Sequence, residues 1–348
     1  MKKLLIYALL ISIFSCKTTD TIQPDTYDFS AVDALIEKSV EAYENNVVVL
    51  VSKNGKLIYQ KGINLTATDS RLIASASKWL SGAVMMSLVD DKKISLDDTV
   101  GKFLPIFSRY GKGHINIRQL FSHTAGFVGD SPQRYEYRTD LTFAEAVDSI
   151  AVYTPLIHAP GTTFNYGSAS MHIAGRIAEV VTGKSWQTLF NEKIATPCDM
   201  KATYILSSLK NPLIAGGVWT SAGDYLKFLE MIVNKGTYNG KRVLSESAVE
   251  EMLKDQTRGA VIEGTPYPSN LYSPHPTSVV RYGIGNWRDV VDASGNGLET
   301  SSPGLFGTHP WQDSKNKVAG IIFTKTEPRQ SNATSLQIRE LIRQAIEK

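Results

Sequence analysis

Segments that favour β-strands lie near the two ends of this chain, and the sequence between them is mainly helical. Residues 47–62, VVVLVSKNGKLIYQKG, are two strand-like runs around Asn54-Gly55, a dipeptide that favours a hairpin turn. Residues 317–326, KVAGIIFTKT, are typical of a buried strand. The simplest arrangement pairs the hairpin with the C-terminal strands in one antiparallel sheet. This predicts an α/β (α+β) fold with a mainly helical second lobe and a cleft at the seam.

Helical periodicity predicts the elements around this sheet. Residues 29–44 predict a first helix with Ser30 as its N-cap, and residues 334–348 predict a closing helix. These two terminal helices are expected to cover one face of the sheet. The helical lobe is predicted from residues 116–127, 142–153, 169–183 and 221–236, and glycine ends the first, third and fourth of these segments.

The first residues have the features of an export signal. Two lysines precede an apolar run at residues 4–14 that is too short for a membrane-spanning helix. Cys16 follows a small residue, as in the lipobox of bacterial lipoproteins, where the cysteine becomes lipidated. This predicts a signal peptide at 1–15, a polar tether at 16–27 and one domain at 28–348. The alternative is a cleaved signal followed by an incidental cysteine.

Composition excludes several classes of function. The formal charge of +3 falls to +1 without residues 1–15, and no basic run is present, so nucleic acid is not an expected partner. The only other cysteine, Cys198, is expected to be a small buried side chain. The six histidines lack metal-binding spacing, and no Gly-x-Ser-x-Gly motif is present, so we expect neither a metal nor an α/β-hydrolase. No cofactor is expected.

One short motif predicts chemistry. In Ser-x-x-Lys, positions i and i+3 share a helix face, so a lysine could act as the base of a serine. The chain holds three such pairs: Ser75 with Lys78, Ser207 with Lys210, and Ser314 with Lys317. The first pair opens an apolar helix, whose N-terminus would stabilise an alkoxide, whereas the other two lie in polar stretches. Ser75 could instead be an ordinary N-cap, and Lys78 a surface lysine.

Several segments in a fixed order resemble the serine β-lactamase and penicillin-binding-protein superfamily, in its class C branch. That branch also contains esterases, D-amino-acid peptidases and DD-carboxypeptidases. The resemblance runs from about residue 35 to the C-terminus. The segments are IASASK (73–78), KISLDDTVGKFLP (93–105), IRQLFSHTAGF (117–127), HAPGTTFNYGSASMHIAGRIAEVVTGKSW (158–186) and AGGVWTSAGDYLKFLEMIVNKGTYNGKRVLS (215–245).

The resemblance implies roles for the residues that match the first two motifs. Ser75 would be the acylated nucleophile and Lys78 its base, or half of one. Tyr166 matches the tyrosine of the second motif, Tyr-x-Asn, and would relay a proton to the leaving group. Ser168 stands where the asparagine is usual and offers a shorter, single hydroxyl. His123 is structural in this family and receives no catalytic role.

The third motif departs from the family. Ser302, Pro303 and Gly304 stand where Lys-Thr-Gly or His-x-Gly is expected, so the cation is missing. The resemblance implies that Gly304 lets the strand backbone approach substrate, and that the N–H groups of Leu305 and Ser75 form the oxyanion hole. Ser302 would contact substrate through an uncharged hydrogen bond. His309 or Arg281 could supply the missing charge from a loop.

The sequence therefore predicts an exported serine hydrolase, in the periplasm or on the cell surface, with a lipid anchor on Cys16. Its substrate would be a small molecule or derived from the cell wall. An uncharged ester or amide fits the altered third motif better than a β-lactam, because a neutral hydrogen bond holds a carboxylate less well than a charged one. One alternative is a β-lactamase or DD-carboxypeptidase that acts on cell wall. Another is a non-catalytic member that only binds a ligand.

Overall fold

The computed structural model of this protein describes residues 27–266, 281–326 and 328–348. The helices are α1 Ser30–Lys38, α2 Ser77–Asp90, α3 Val100–Phe103, α4 Pro105–Arg109, α5 Ile117–Phe121, α6 Phe143–Tyr153, α7 Ala169–Thr182, α8 Trp186–Phe190, α9 Ala222–Val233, α10 Glu246–Leu253 and α11 Pro328–Glu347. The strands are β1 Val47–Lys53, β2 Lys56–Ile63, β3 Ser70–Leu72, β4 Thr163–Asn165, β5 Ala202–Tyr204, β6 Ser207–Ser208, β7 Asn211–Pro212, β8 Val218–Ser221, β9 Thr237–Tyr238, β10 Lys241–Arg242, β11 Val261–Gly264, β12 Trp287–Val291, β13 Gly297–Ser301, β14 His309–Asp313 and β15 Val318–Thr324.

The main sheet joins the two ends of the chain, as predicted. β1 and β2 form an antiparallel hairpin, and β12, β13, β14 and β15 pair in succession, all antiparallel. Asn54 N–H donates to Lys317 C=O at 3.0 Å, and Thr324 Oγ donates to Asn46 C=O at 2.5 Å. These bonds lie at opposite ends of β1, so β1 runs antiparallel along β15. Asn54 and Gly55 have φ of 52° and 73°, which is the turn that the Asn-Gly pair predicts.

The two terminal helices cover one face of this sheet, which confirms their predicted position. α1 packs against α11, and both bury apolar side chains against β1 and β15. Ile36 and Ile338 from the helices and Val49 and Ile322 from the strands are all less than 1 % exposed. The predicted N-cap is wrong. Ser30 is the first residue of α1, so it lies inside the helix and not at the cap position. Its N–H donates to the carboxylate of Asp28, two residues earlier in the chain.

The other face of the sheet packs against the helical lobe. Leu50 and Phe323 point from the sheet into a large apolar core that α2, α7 and α9 also enter. All twelve residues from Ser77 to Leu88 of α2 are buried. α2 is therefore a central helix between the sheet and the lobe, which explains its lack of a polar face.

Most helices of the lobe lie where the periodicity predicts them, with one exception. α5 ends at Phe121 and does not continue to Gly126, because His123 adopts a left-handed φ of 58°. α5 begins at an Asn116–Gln119 capping box. The residues after α5 form an irregular segment that leads towards the cleft.

No helix within the described ranges combines the length and apolarity that a membrane span requires.

Candidate active site

Ser75 lies in a tight turn that links β3 to α2. It is the middle residue of a 3₁₀ turn, Ala74–Ala76, directly before the helix. Ile73 N–H, just before this turn, donates to Val218 C=O at 3.0 Å and so ties the turn to β8. Ala74 has a φ of 46°, a conformation that costs an L-residue roughly 1–2 kcal/mol. Ser75 makes no capping bond to α2, so the ordinary N-cap interpretation is wrong.

Lys78 lies one turn further on and contacts the Ser75 hydroxyl. Its Nζ donates to Ser75 Oγ at 3.1 Å and to Ala215 C=O at 2.9 Å. The side chain is only 2 % exposed, and burial lowers its pKa to about 7, against the opposing effect of the negative charge on Asp130. A large fraction of Lys78 is therefore a neutral amine near neutral pH, and a neutral amine can accept the proton of Ser75.

The other two Ser-x-x-Lys pairs do not form such a contact. Lys210 Nζ donates to Asp140 C=O at 3.0 Å, and Ser314 Oγ donates to Leu298 C=O at 2.9 Å. Neither of these serines hydrogen-bonds its lysine in the described structure. Of the three pairs, only Ser75 and Lys78 are hydrogen-bonded to each other among the described residues. This is the pair that was favoured because Ser75 precedes an apolar helix.

Tyr166 lies against the same lysine. The Nζ of Lys78 is 4.6 Å from the centroid of the Tyr166 ring. Tyr166 N–H donates to Gly264 C=O at 2.7 Å, which fixes the residue just after β4 and beside β11. Its ring stacks on Trp287, with centroids 5.3 Å apart and planes 25° apart. The fold therefore brings together Ser75, Lys78 and Tyr166, although 88 residues separate Lys78 from Tyr166 in the sequence.

Asp130 and Tyr137 also belong to this site, and sequence reasoning missed both. Ser168 N–H donates to Asp130 Oδ1 at 2.8 Å, and Tyr137 Oη donates to Asp130 Oδ2 at 3.2 Å. The Oγ of Ser168 is 3.0 Å from Tyr137 Oη. Asp130 lies 38 residues before Ser168 in an irregular loop, so no periodic pattern marks it. The only local signal is the turn-forming Gly-Asp-Ser-Pro sequence.

These side chains line an open cleft of about 590 Å³. That volume is within the usual range for small-molecule sites. Ser75 and Lys78 contribute to the cleft together with Asp130, Tyr166 and Ser168. The remainder of the lining is mostly apolar and includes Val128, Pro132, Pro266, Pro303 and Leu305.

The third-motif residues pack against the turn that carries Ser75. Leu305 is 64 % exposed at the cleft, whereas Ser302 is 2 % exposed. Ser302 Oγ lies 3.2 Å from Ser75 C=O and 3.3 Å from Gly285 C=O, so its single hydroxyl proton can be donated to either carbonyl, and the hydroxyl faces the Ser75 turn. A Cβ on Gly304 would lie 2.1 Å from Ile73 C=O. Glycine is thus needed here for the approach of this segment to the Ser75 turn.

Two backbone donors remain available beside the nucleophile. Within the described ranges, neither the N–H of Ser75 nor that of Leu305 donates to a protein acceptor. Ser75 and Leu305 line the same cleft, and free N–H groups near the reacting carbonyl are what a developing oxyanion requires.

The sequence model of the family named Beta-lactamase matches residues 32–343, which is most of the chain. The chain belongs to the beta-lactamase family.

Proteins similar to this beta-lactamase-family chain carry several different names. Protein Rv1367c of Mycobacterium tuberculosis is 25% identical, over 77% of this chain and 78% of that protein. The teichoic acid D-alanine hydrolase of Staphylococcus aureus is 26% identical, over 56% of this chain and 48% of that protein. A crystal structure of a beta-lactamase candidate from Bacteroides dorei is 31% identical, with a TM-score of 0.82, and covers 93% of this chain and 100% of that one.

This beta-lactamase-family site has no cation at the third motif. His309, one possible substitute, is 1 % exposed on β14, and burial and the nearby Arg339 hold its pKa well below its usual value. Arg281, the other, has its Nε 3.2 Å from Asp255 Oδ2 and does not line the cleft. Lys78 is the only lysine or arginine among the described lining residues, and residues 267–280 contain neither amino acid.

Metal ligation has no support in the part of the chain that the structure describes. No group of three or more His, Cys, Asp or Glu side chains there could hold a metal ion. His123 is buried against the rings of Phe164, Tyr166 and Tyr282, where an apolar contact is its main interaction.

Proposed function

We propose that this protein is a serine hydrolase that works through an acyl-enzyme on Ser75. The observation that carries the proposal is the 3.1 Å hydrogen bond between Lys78 Nζ and Ser75 Oγ, at a lysine whose pKa is about 7. A serine hydroxyl is a weak nucleophile unless a neighbouring base takes its proton. A buried, largely neutral lysine meets that requirement without a histidine.

The steps follow from the positions of these groups. Lys78, assisted by Tyr166, takes the proton of Ser75 as Oγ attacks the substrate carbonyl carbon. The oxyanion lies between the N–H groups of Ser75 and Leu305, and each such donor is typically worth about 3 kcal/mol. The bond to the leaving group then breaks, Tyr166 gives that group a proton, and Lys78 passes the proton it took from Ser75 on to Tyr166, so both side chains return to their starting states.

Deacylation reverses these roles. Water loses a proton to Tyr166 or Lys78 as it attacks the acyl carbon. The ester bond to Ser75 breaks, Ser75 regains its proton, and a carboxylic acid leaves.

We further propose an ester or amide without a free carboxylate as substrate, so the activity is closer to that of an esterase than of an efficient β-lactamase. Apart from Lys78, whose Nζ is bonded to Ser75 Oγ and Ala215 C=O, the described lining residues include no lysine or arginine that could hold a carboxylate, and the Ser302 hydroxyl faces Ser75 C=O and Gly285 C=O. The Staphylococcus aureus relative named as a teichoic acid D-alanine hydrolase is consistent with hydrolysis at such a site.

A fluorophosphonate probe tests the nucleophile. Intact mass should show one adduct on the wild type and none on Ser75→Ala. Ser207→Ala is the matched control, because Ser207 also begins a Ser-x-x-Lys sequence but lies outside the cleft. A folded wild type that stays unlabelled would favour the non-catalytic binding alternative.

The cell-wall alternative is tested with β-lactams on the same protein. We expect slow nitrocefin turnover and weak covalent labelling by penicillin, because no cation balances their carboxylate. Rapid turnover, comparable to that of the best ester, would instead support a β-lactamase, and a stable penicillin adduct would support a DD-carboxypeptidase.

We also propose export and lipid anchoring through Cys16, which lies outside the described residues. The support is the sequence of the first sixteen residues. In a bacterial host fed an alkyne fatty acid, the wild type and Cys198→Ser should be labelled and should sediment with membranes. Cys16→Ser should be unlabelled. Cys198 is a suitable control because it is fully buried.

A further inference from the structure

An exposed arginine lies beside the cleft, on the loop that leads from Asp130 to Tyr137. Arg134 comes directly before a 3₁₀ turn, Tyr135–Tyr137. Its guanidinium carbon is 4.1 Å from the centroid of the Tyr137 ring. Tyr137 lines the cleft, whereas Arg134 does not. The positive charge of Arg134 is therefore one side chain away from the cleft.

The loop holds Arg134 in an unusual backbone conformation. Its φ is 54°, in the left-handed region that L-residues seldom adopt. Arg134 N–H donates to Ser131 C=O at 2.8 Å, and Glu136 accepts from both the N–H and the Oγ of Ser131 at 2.7 Å. Asn211 Nδ2 braces the following turn by donating to Tyr135 C=O at 3.0 Å. Because such a conformation persists only where the surrounding structure maintains it, the loop positions Arg134 in advance of any ligand.

The charge of Arg134 has no counterion within the described ranges. It takes part in no salt bridge there, and its side chain donates no hydrogen bond to a protein acceptor. Asp130 interacts with the far end of Tyr137 and accepts from its Oη at 3.2 Å. By contrast, Arg138, later in the same loop, pairs with Asp140. Arg134 is thus a positioned cation whose N–H donors remain available.

Tyr137 supports this cation without neutralising it. Burial raises the pKa of Tyr137 to about 12, with a further contribution from the negative charge of Asp130. A hydrogen bond with Ser168 and the positive charge of Arg134 act in the opposite direction on this pKa. Tyr137 therefore stays a neutral phenol near neutral pH, and its interaction with Arg134 is a cation–π contact.

Lys78, the cation inside the cleft, is already engaged. Its Nζ is bonded to Ser75 Oγ and Ala215 C=O, and the charge of Asp130 acts on it. In the proposed mechanism it is the base and must lose its proton. Arg134 differs on each point, since it is exposed, keeps its donors free and remains charged at any pH at which the protein is folded.

We propose that Arg134 binds a phosphate or sulfate group on a part of the substrate that extends out of the cleft past Tyr137. A guanidinium group presents paired N–H donors that match two oxygens of such an anion. The inference rests on the acyl-enzyme function proposed above and specifies its substrates: esters or amides with a tethered oxyanion. Phosphate and sulfate share this chemistry, and both are consistent with the carboxylate-free substrate proposed above.

Arg134 could instead serve only to hold the Tyr137 ring in place. The two roles make different predictions about charge. A purely structural role would change the turnover of anionic and neutral substrates by the same factor. An anion site would lower the turnover of the anionic substrate alone.

The test compares esters that differ only at the end of a tether. Butanoate esters of ω-hydroxyalkyl phosphates and sulfates, with tethers of increasing length, are compared with the matching methyl ethers. A second series places the same groups on the acyl half. The anionic-to-neutral ratio of kcat/KM is measured for the wild type and each variant. Comparison of these ratios cancels the intrinsic reactivity of the esters.

We expect Arg134→Gln to lower this ratio by about tenfold at the best tether length, the size typical of one charge-assisted contact. Arg134→Lys keeps the charge but not the paired donors, so it should recover only part of the ratio. Arg138→Gln is the matched control. Arg138 is an exposed arginine of the same loop that pairs with Asp140, so its removal should leave the ratio at the wild-type value.

Calorimetry measures the same contact without turnover. In Ser75→Ala, the phosphate ester should bind more tightly than its methyl ether. The difference should disappear when Arg134→Gln is added to Ser75→Ala.

The outcomes separate this inference from the function on which it rests. Fluorophosphonate labelling of Ser75 with an unchanged ratio in Arg134→Gln would overturn the anion site and leave the hydrolase intact. An equal fall in Arg138→Gln would show a diffuse effect of charge and would also overturn the site. Binding that depends on Arg134, in folded protein without labelling or turnover, would support the anion site and overturn the hydrolase. Absence of labelling, turnover and such binding would overturn the two proposals together.

Discussion

In the proposed mechanism, the environment of Lys78 determines the pH range in which the site can work. A lysine with its ordinary pKa would be protonated at neutral pH and could not accept a proton from Ser75. Burial on the central helix destabilises the ammonium form, while Asp130 stabilises it, and burial is the larger effect. The two effects together place the pKa at about 7, where a general base is effective.

The first prediction concerns the pH dependence of turnover. With a neutral ester, kcat/KM should rise with pH through an apparent pKa of about 7, because only deprotonated Lys78 is the base. Asp130→Asn removes the charge that raises this pKa, so the rising limb should move to lower pH. Stopped-rate assays at constant ionic strength, from about pH 5 to about pH 9, would measure the shift. This range extends to both sides of a pKa near neutrality.

Asp140→Asn is the control for this pH profile, because Asp140 pairs with Arg138 outside the cleft. The rising limb of its kcat/KM profile should coincide with that of the wild type. A shift to higher pH in Asp130→Asn would contradict the assigned electrostatic effect.

Among individual residues, sequence reasoning identified the site residues that belong to a motif and missed those that do not. Ser75, Lys78 and Tyr166 were predicted, and the structure brings them into contact. Asp130 and Tyr137 were missed because their role depends on a loop whose path no local pattern specifies. The contacts of Asp130 and Tyr137 with Ser168 form only when the loop is folded against that residue.

The contact between the third-motif segment and the nucleophile turn couples two elements across the cleft. Gly304 packs on Ile73 C=O, and the Ser302 hydroxyl faces Ser75 C=O. Both contacts join the connection between β13 and β14, which carries Leu305, to the turn before α2, which carries Ser75.

The second prediction tests this coupling with Gly304→Ala. Its Cβ would lie 2.1 Å from Ile73 C=O, so the segment must move away and carry Leu305 N–H, one of the two oxyanion donors of the proposed mechanism, with it. We expect kcat for a neutral ester to fall by about 100-fold, the effect of losing one oxyanion donor, with little change in KM.

Gly297→Ala on β13 is the matched control, since its Cβ would make only ordinary van der Waals contacts, of which Arg288 Nε at 3.4 Å is the nearest. It should retain most of the activity. Equal kcat values for Gly304→Ala and the wild type would show that the segment does not set the donor spacing.

Element prediction succeeded where periodicity and a strong turn signal agree, as in the hairpin at Asn54-Gly55 and in α7, which ends at Gly183. It failed at boundaries that depend on backbone conformation. α5 stops at Phe121 because His123 is left-handed, and nothing in the apolar pattern shows this. Ser30 was misassigned because Asp28 was the better placed acceptor.

A buried ionic cluster fastens the last helix to the sheet. Arg339 of α11 donates to Asp289 and to Glu299, both at 2.8 Å, and all three side chains are at most 6 % exposed. Arg343 also contacts Glu299. The cluster lies on the face of the sheet away from the cleft, so it serves the assembly of the whole molecule.

The third prediction is that Arg339→Met lowers the free energy of unfolding by about 3–5 kcal/mol, because it leaves two buried carboxylates without their main countercharge. Urea titration followed by circular dichroism would measure it. Arg176→Met, which breaks the partly exposed pair with Glu179, should cost about 0–1 kcal/mol. Similar losses in the two variants would argue against a structural role for the cluster.

The order of the strands has a consequence for the timing of folding. β1 is made early, but its neighbour β15 follows about 270 residues later, at a point when nearly the whole chain has been synthesised. Until then one edge of the hairpin has no partner, and unpaired edges promote aggregation. A chain that stops before residue 318 would lack the central strand of its own sheet, so truncated products should be recognised and degraded rather than accumulate as partly active enzyme.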